Sequence, residues 1–389
     1  MISTSSEKLV LREGRFSRLE AIQWWDQSLL RRSRVLVVGA GALGNEVIKN
    51  LSLLGIGNLV ITDMDRVELS NLSRSVLFRE SDEGAPKAEA AASSARQIYP
   101  EIRVTPIVAD VLAGIGLGFF RWADVVVGAL DNREARVFVN SASAMVGKPW
   151  IDGGIEVLQG IVRGFAPPAT ACYECTMSSV DWDLLNKRRS CSLLARRALA
   201  ASGTPTTPTT ASVIGAIQAQ EVVKLLHGMD ALVGRGFVFE GTTHGSYSVN
   251  YQVSPDCGWH EPPPRIESCA DLNSNSRIET ICERASGLLG GLDAIDLVRD
   301  MVEWLNCPSC GERYRVLKPV EMIGEDQARC PGCRSELAPV MFSSVSPSSD
   351  LVHMKVEEIG LPGWDILWAR RGQETLGIEL AGDRPLDLA

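Results

Sequence analysis

The sequence predicts an α/β protein: a mostly parallel sheet flanked by helices, followed by a smaller C-terminal module built around a bound metal. Three observations carry this. Val35-Leu36-Val37-Val38 is a short β-branched run that leads directly into Gly39-Ala40-Gly41-Ala42-Leu43-Gly44 and a helical pattern through Leu54; a strand, a tight glycine turn and a helix N-terminus in that order make an anion-binding βα unit. Strand-like and helix-like runs then alternate from about Arg34 to Gly154, which calls for parallel strands joined by right-handed crossovers. Near the other end, Cys307-Pro308-Ser309-Cys310 and Cys330-Pro331-Gly332-Cys333 stand 19 residues apart, a zinc-ribbon signature.

A chain of 389 residues has room for two or three cores. The expected division is an arm over 1–33, a Rossmann-like domain over 34–261 with an internal segment at 176–210, and a C-terminal domain over 262–389. Forty-eight acidic against 39 basic residues, a net charge of −9, disfavour a nucleic-acid partner. Met1 to Glu7 carries no apolar signal core, and the most hydrophobic window, Val111 to Leu130, contains Arg121 and Asp124. Each would cost roughly 2.5 to 3.5 kcal/mol at the centre of a bilayer helix, so the window reads as a loop or turn before a strand from Asp124 to Gly128. A soluble, cytoplasmic protein with no membrane partner is expected, its ten cysteines serving as ligands or nucleophiles rather than disulfides.

In chain order, Trp24 and Trp25 should pack the arm onto its own or a partner's body. Gly39, Gly41 and Gly44 let backbone N–H groups approach a phosphate. The next strand, Leu59 to Ile61, ends at Asp63, placed to accept from ribose hydroxyls. A helix follows over Lys87 to Ile98, a strand over Arg103 to Val108, a helix over Arg133 to Val146 and a strand over Trp150 to Asp152. The glycine pattern alone would favour a dehydrogenase.

Three further motifs change that. Asp63-Met64-Asp65-Arg66-Val67-Glu68-Leu69-Ser70-Asn71-Leu72-Ser73-Arg74, then Gly84-Ala85-Pro86-Lys87, then Ala129-Leu130-Asp131-Asn132 with Arg136, resemble in order and kind the adenylating core of the ThiF/MoeB and ubiquitin-activating enzyme superfamily. The resemblance runs from about Arg15 to His260. It implies an ATP site in which Arg74 and Lys87 bring fixed positive charge to the triphosphate, Asn71 hydrogen-bonds to it and Asp131 holds Mg²⁺. It also implies that Arg18, in Arg15-Phe16-Ser17-Arg18, reaches the triphosphate of a neighbouring subunit, hence a homodimer.

Cys172-Tyr173-Glu174-Cys175 and Cys257-Gly258-Trp259-His260 can supply a tetrahedral Cys₃His zinc site. Between them, Cys191 follows Lys187-Arg188-Arg189-Ser190, and basic neighbours favour a thiolate. By its place in the resemblance, Cys191 is the nucleophile of enzymes that form a thioester. Thr204 to Thr210 reads as a hinge, Ala211 to His227 as a helix, and Phe237 to Glu240 with Tyr247 to Val253 as two strands. Past Pro262-Pro263-Pro264, the spacing of Leu292, Ile295, Val298, Met301, Val302 and Leu305 predicts a helix over Asp293 to Leu305. Cys307, Cys310, Cys330 and Cys333 should close a structural zinc site. Cys269 and Cys282 read as packed thiols, and Leu351 to Leu380 as a small α+β or β unit that could dock a partner.

The layout looks most like the activating enzyme of bacterial ubiquitin-like (Bil-type) conjugation operons, implicated in antiphage defence. That resemblance implies ATP- and Mg²⁺-dependent adenylation of a ubiquitin-like protein's C-terminal carboxylate, capture as a thioester on Cys191 and transfer to a conjugating enzyme. The alternative is a sulfur-carrier adenylyltransferase, which adenylates without forming the thioester.

Overall fold

The computed structural model describes residues 14–190, 193 and 205–388. Cys191 and Thr204 lie outside the described residues.

The arm contributes α1 (Ser17–Glu20) and α2 (Gln27–Arg32). Trp24 and Trp25 pack on His227, with ring centroids 5.3 and 5.7 Å away, and His227 Nε2 accepts the Asp26 N–H at 3.1 Å. The described part of the arm, 14–33, therefore packs on its own chain.

Next come β1 (Arg34–Val38), α3 (Ala42–Leu54), β2 (Asn58–Thr62), α4 (Lys87–Ile98), β3 (Arg103–Ile107), α5 (Leu117–Trp122), β4 (Val125–Gly128), α6 (Arg133–Met145) and β5 (Trp150–Glu156). They are followed by β6 (Gln159–Phe165), α7 (Ser179–Ser190), α8 (Pro208–Leu226), β7 (Arg235–Glu240) and β8 (Gly245–Asn250). The sheet order is β3-β2-β1-β4-β5-β6-β7-β8, parallel from β3 to β5 and antiparallel beyond. Val35 and Val37 face one apolar core with Val47, Ile48 and Ala91 of α3 and α4. Leu36 and Val38 face the other, with Phe120 of α5 and Val139 of α6. A strand covered on both faces has no reason to alternate, hence its unbroken apolar run.

Two local expectations fail here. The window before β4 contains the short helix α5 rather than only a loop, and its Arg121 pairs with Glu379 far along the chain. Strand β6, absent from the sequence reading, has Gly160 and Gly164 interrupting its apolar residues, which weakens the period-two signal.

The C-terminal part forms a second sheet from β9 (Ile266–Cys269), β10 (Ala294–Asn306), β11 (Arg313–Pro319), β12 (Ala338–Val345), β13 (Ile366–Arg371) and β14 (Glu374–Leu380), with α9 (Ile278–Leu289) packed on it. The order is β11-β10-β13-β14-β9, with β12 also paired to β10. The predicted helix over Asp293 to Leu305 is thus wrong: the stretch is the 13-residue strand β10. Register shifts between Asp296 and Met301 and between Val302 and Trp304 break its two-residue alternation. Ile295, Met301, Val302 and Leu305 are all buried despite their helix-like spacing, since a bulge resets which residues face inward.

The two sheets share a core. Trp364, Ile366 and Trp368 are buried with Phe119, Phe120 and Phe138, and the Gly118 N–H donates to the Trp364 carbonyl at 2.9 Å. At the junction Arg299 and Asp365 form a fully buried ion pair at 2.7 Å. Arg299 also donates to the carbonyls of Leu112 (3.1 Å) and Ile115, and the Leu117 N–H donates to Asp365 at 2.8 Å. Burying two charges is tolerated because these bonds satisfy the groups that remain.

Among the described residues no helix is long and apolar enough to cross a membrane.

Candidate functional site

The site lies at the carboxyl ends of β1, β2 and β4. Gly39 has φ 98°, and a Cβ there would stand 2.3 Å from the Ala129 carbonyl oxygen; one on Gly44 would stand 2.0 Å from the Gly39 oxygen. Both positions require glycine so that loop, helix and strand can close together. Gly41 differs. It caps the N-terminus of α3 and a Cβ there would meet nothing within 4 Å, leaving the first-turn N–H end of the helix open to an anion.

Asp63, expected to accept from ribose hydroxyls, also braces the loop itself. One carboxylate oxygen accepts the Ala40 N–H at 2.7 Å and the other the Asp65 N–H at 2.8 Å. Burial raises its proton affinity, opposed by those two N–H groups and by Lys87. Lys87, the first residue of α4, donates to Asp65 at 2.8 Å and is largely sheltered. Its charge thereby stays fixed beside the glycine loop.

Asn71 is buried in a reciprocal cap with Glu68, its Oδ1 accepting the Glu68 N–H at 3.1 Å. Arg74 donates to the Ser70 carbonyl at 2.9 Å. The segment is tied over α3 by Asn45, which accepts the Leu77 N–H (2.8 Å) and donates to the Ala40 carbonyl (2.7 Å). Asp131 is exposed just beyond β4, beside Asn132, which caps α6 by accepting the Ala135 N–H at 2.8 Å.

Arg18 is not brought to this cluster by its own chain. Its neighbours Arg15 and Phe16 contact Ile98 and Tyr99, at the opposite end of α4 from Lys87, about 17 Å away along the helix.

Beneath Asp131 lies a network the sequence reading missed. Asp152, fully buried, pairs with Arg136 at 2.9 Å and with Arg163. Arg136 also donates to the Leu130 (2.6 Å) and Gly153 (3.1 Å) carbonyls, and Arg163 stacks over Tyr173 at 4.8 Å. A carboxylate within a predicted buried strand was the available signal.

Two ligand sets are assembled. Cys172 Sγ lies 3.8 Å from Cys175 Sγ and 3.5 Å from Cys257 Sγ, with His260 Nε2 at 3.1 Å from Cys175. In the second set Cys307 is 3.4 Å from Cys333 and Cys310 3.6 Å from Cys330. Within each set all four ligand atoms lie within 4.8 Å of one another. Tetrahedral zinc with Zn–S bonds of about 2.3 Å has ligand–ligand edges of about 3.8 Å, so either set could hold it.

The cysteine-bearing segment is described only at its flanks and at Leu193. Thr206 pairs with Val157, and the Thr207 and Thr210 hydroxyls both donate to the Val157 carbonyl, at 2.9 and 3.1 Å. Pro205 to Thr210 is therefore an anchored helix start rather than the expected hinge. Cys269 and Cys282 are buried; burial raises both thiols, Cys282 to about 11, which disfavours a thiolate nucleophile at either.

The ThiF family model matches residues 15–258, well over half of the sequence. The chain belongs to the ThiF family. Within it, the chain is 34% identical over 238 residues to the SAMP-activating enzyme E1 of Haloferax volcanii, covering 59% of this chain and 81% of that protein. It is 38% identical over 154 residues to the sulfur carrier protein adenylyltransferase of Thermus thermophilus, covering 38% and 57%. It is 37% identical over 150 residues to the NEDD8-activating enzyme E1 catalytic subunit of Schizosaccharomyces pombe, covering 37% of this chain and about a third, 34%, of that one. Among solved folds it resembles E. coli MccB with ATP, with a TM-score of 0.54 at 23% identity over 65% of this chain and 75% of that one. The fold of this ThiF-family chain is a mixed α/β one with a large, parallel-rich sheet.

Proposed function

We propose that this chain is an ATP-dependent activating enzyme acting on the C-terminal carboxylate of a ubiquitin-like protein. The observation that carries the reading is the arrangement around Gly41: an open helix N-terminus, the fixed cation Lys87, Arg74 on the segment tied over α3, and exposed Asp131 beyond the adjoining strand. In the first step a carboxylate oxygen attacks the α-phosphorus of ATP, the bond to the β-phosphate oxygen breaks and pyrophosphate leaves. Two anions must meet, so charge neutralisation and alignment are the catalytic problem; the nucleophile is already ionised at neutral pH. Asp131 would hold Mg²⁺, which supplies further neutralisation of the phosphates. Arg18, remote from its own cluster, suits a contact across a homodimer.

In the second step the Cys191 thiolate attacks the acyl carbon, a thioester forms and AMP leaves. A conjugating enzyme then receives the acyl group, and the C-terminal domain, 262–389, is the surface proposed to dock it. The two four-ligand sets would hold structural zinc, since neither leaves an open coordination position. We assign the pathway to the cytoplasm and to bacterial antiphage defence of the Bil type, on the architecture of an adenylating core, an internal cysteine and a ribbon. The Thermus relative favours a second reading, a sulfur-carrier adenylyltransferase, which shares the first step and omits the second.

Purified protein incubated with ATP and candidate carriers, compared on reducing and non-reducing gels, separates the two readings. Cys191→Ala should retain ATP–pyrophosphate exchange and lose the reductant-sensitive adduct, whereas Asp131→Ala should lose exchange by roughly 100-fold or more. An adduct that survives Cys191→Ala would refute the thioester assignment.

A further inference from the structure

We infer that Leu193 is a positioning residue, which docks the cysteine-bearing segment onto the C-terminal ribbon and so makes that ribbon part of the capture step. The inference rests on the reading of Cys191 as the acyl acceptor, and it assigns the ribbon a role that zinc binding alone does not.

The observation is where Leu193 is buried. It retains 6% exposure within an apolar cluster formed by Val302, Leu305, Val320, Ile323, Ala328 and Leu337, the same cluster that encloses the Cys307 and Cys330 thiols. Every other described residue of that cluster comes from the C-terminal part of the chain, at least 109 positions later (302 − 193). The flanks of the segment are held elsewhere. Before it, α7 is fastened to the nucleotide side by the 2.8 Å pair between Asp181 and Arg133, two residues past Asp131, and by Leu185 in the core of the first sheet. After it, Pro205 to Thr210 is fastened to Val157 at the turn between β5 and β6.

Leu193 thus sits on the ribbon, while the described residues before and after it, α7 and Pro205 to Thr210, are held on the adenylating sheet. Cys191 precedes that contact by two residues, at most about 7 Å of chain. A nucleophile carried between two fixed ends gains effective concentration when an intermediate point is also fixed. A leucine placed among six apolar side chains beside a metal-ligand set is a strong point of that kind, because burial of its side chain resists release. The consequence is selective: loss of the anchor should affect transfer to the thiol and leave adenylation alone, since none of the described groups around Gly41 belongs to that cluster.

The whole 389-residue chain with its cognate carrier tests this through two readouts. One is the ratio of adduct formation to ATP–pyrophosphate exchange. The other, which needs no carrier, is tryptic nicking after Arg188, Arg189, Arg196 and Arg197. Leu193→Asp should slow adduct formation roughly ten- to a hundredfold at unchanged exchange and raise nicking at least about tenfold, as the undocked population grows. Leu193→Met, which keeps volume and apolarity, should restore both. Ile323→Ala, on the ribbon side of the same cluster, should reproduce the defect in part and serves if Leu193→Asp fails to fold. Unchanged nicking in Leu193→Asp overturns the docking, and increased nicking with wild-type adduct formation overturns the positioning role. Wild-type protein that exchanges pyrophosphate yet never forms an adduct overturns the thioester reading and the positioning role with it, and is recognised because nicking still responds to Leu193→Asp.

Discussion

Replacing the glycines of the phosphate loop one at a time should separate stability from nucleotide binding. At Gly44 an added Cβ would lie 2.0 Å from the Gly39 carbonyl oxygen, where ordinary contact begins at 3.4 Å. The loop backbone would have to retreat by roughly 1.4 Å (3.4 − 2.0), and it cannot do so freely because Gly39 abuts Ala129. Overpacking of this kind costs about 2 kcal/mol, a fall in Tm of roughly 4 to 8 °C. At Gly41 the backbone, φ −71° and ψ −162°, already suits any residue, and the added methyl meets nothing within 4 Å. The entropic gain from restricting the unfolded chain, about 0.4 to 1 kcal/mol, roughly offsets the poorer helix cap, so Tm should move by no more than about 2 °C. The methyl nevertheless fills the space in front of the α3 N-terminus, and ATP affinity should fall at least about tenfold, or 1.4 kcal/mol. Scanning fluorimetry with and without ATP reads both quantities. A Gly41→Ala protein as destabilised as Gly44→Ala, or one that binds ATP like wild type, would refute the reasoning.

Three other outcomes are expected. Arg299→Met leaves the Asp365 charge buried beside only backbone donors and should cost about 3 to 5 kcal/mol in urea unfolding, with much of the loss recovered in Arg299→Met/Asp365→Leu; a cost under about 1 kcal/mol would deny the junction its structural role. Burial raises the Asp63 carboxyl above its ordinary 3.8, so its contribution to stability is full below that value and is lost as pH rises through the folded-state value. The stability difference between wild type and Asp63→Asn should therefore shift against wild type from about pH 4 to about pH 7, and a shift in its favour would show that the two N–H bonds outweigh desolvation. Denaturing the protein in a chromogenic chelator should release about two zinc ions per chain, and about one from Cys257→Ser or from Cys310→Ser, because the two ligand sets share no residue.

The first sheet was legible because its signals are local. The Val35 to Val38 run, the glycines after it and the Lys87 to Ile98 helix each declare themselves within a dozen residues, and the βαβ alternation then leaves few topologies. The C-terminal sheet was less so. In β10 two register shifts put Ile295, Met301, Val302 and Leu305 inside at a spacing that imitates a helix, and nothing local distinguishes the two. Long-range pairing was hidden for a related reason: Arg121 read as a charge interrupting an apolar window, yet its partner Glu379 is 258 residues away. At the site, the residue types were visible but their commitments were not. Asp63 holds the Ala40 and Asp65 N–H groups, and Asn71 caps its own turn, choices that depend on how the segment after β2 folds back over α3.

The most direct test of an adenylating site around Gly41 is ATP–pyrophosphate exchange with the purified chain and its cognate carrier. Carrier-dependent exchange that disappears in Lys87→Ala, while that variant keeps the wild-type Tm, is the expected result. Exchange undiminished in Lys87→Ala, or a nicotinamide dinucleotide seated over Gly41 in a protein that refuses ATP, would contradict it.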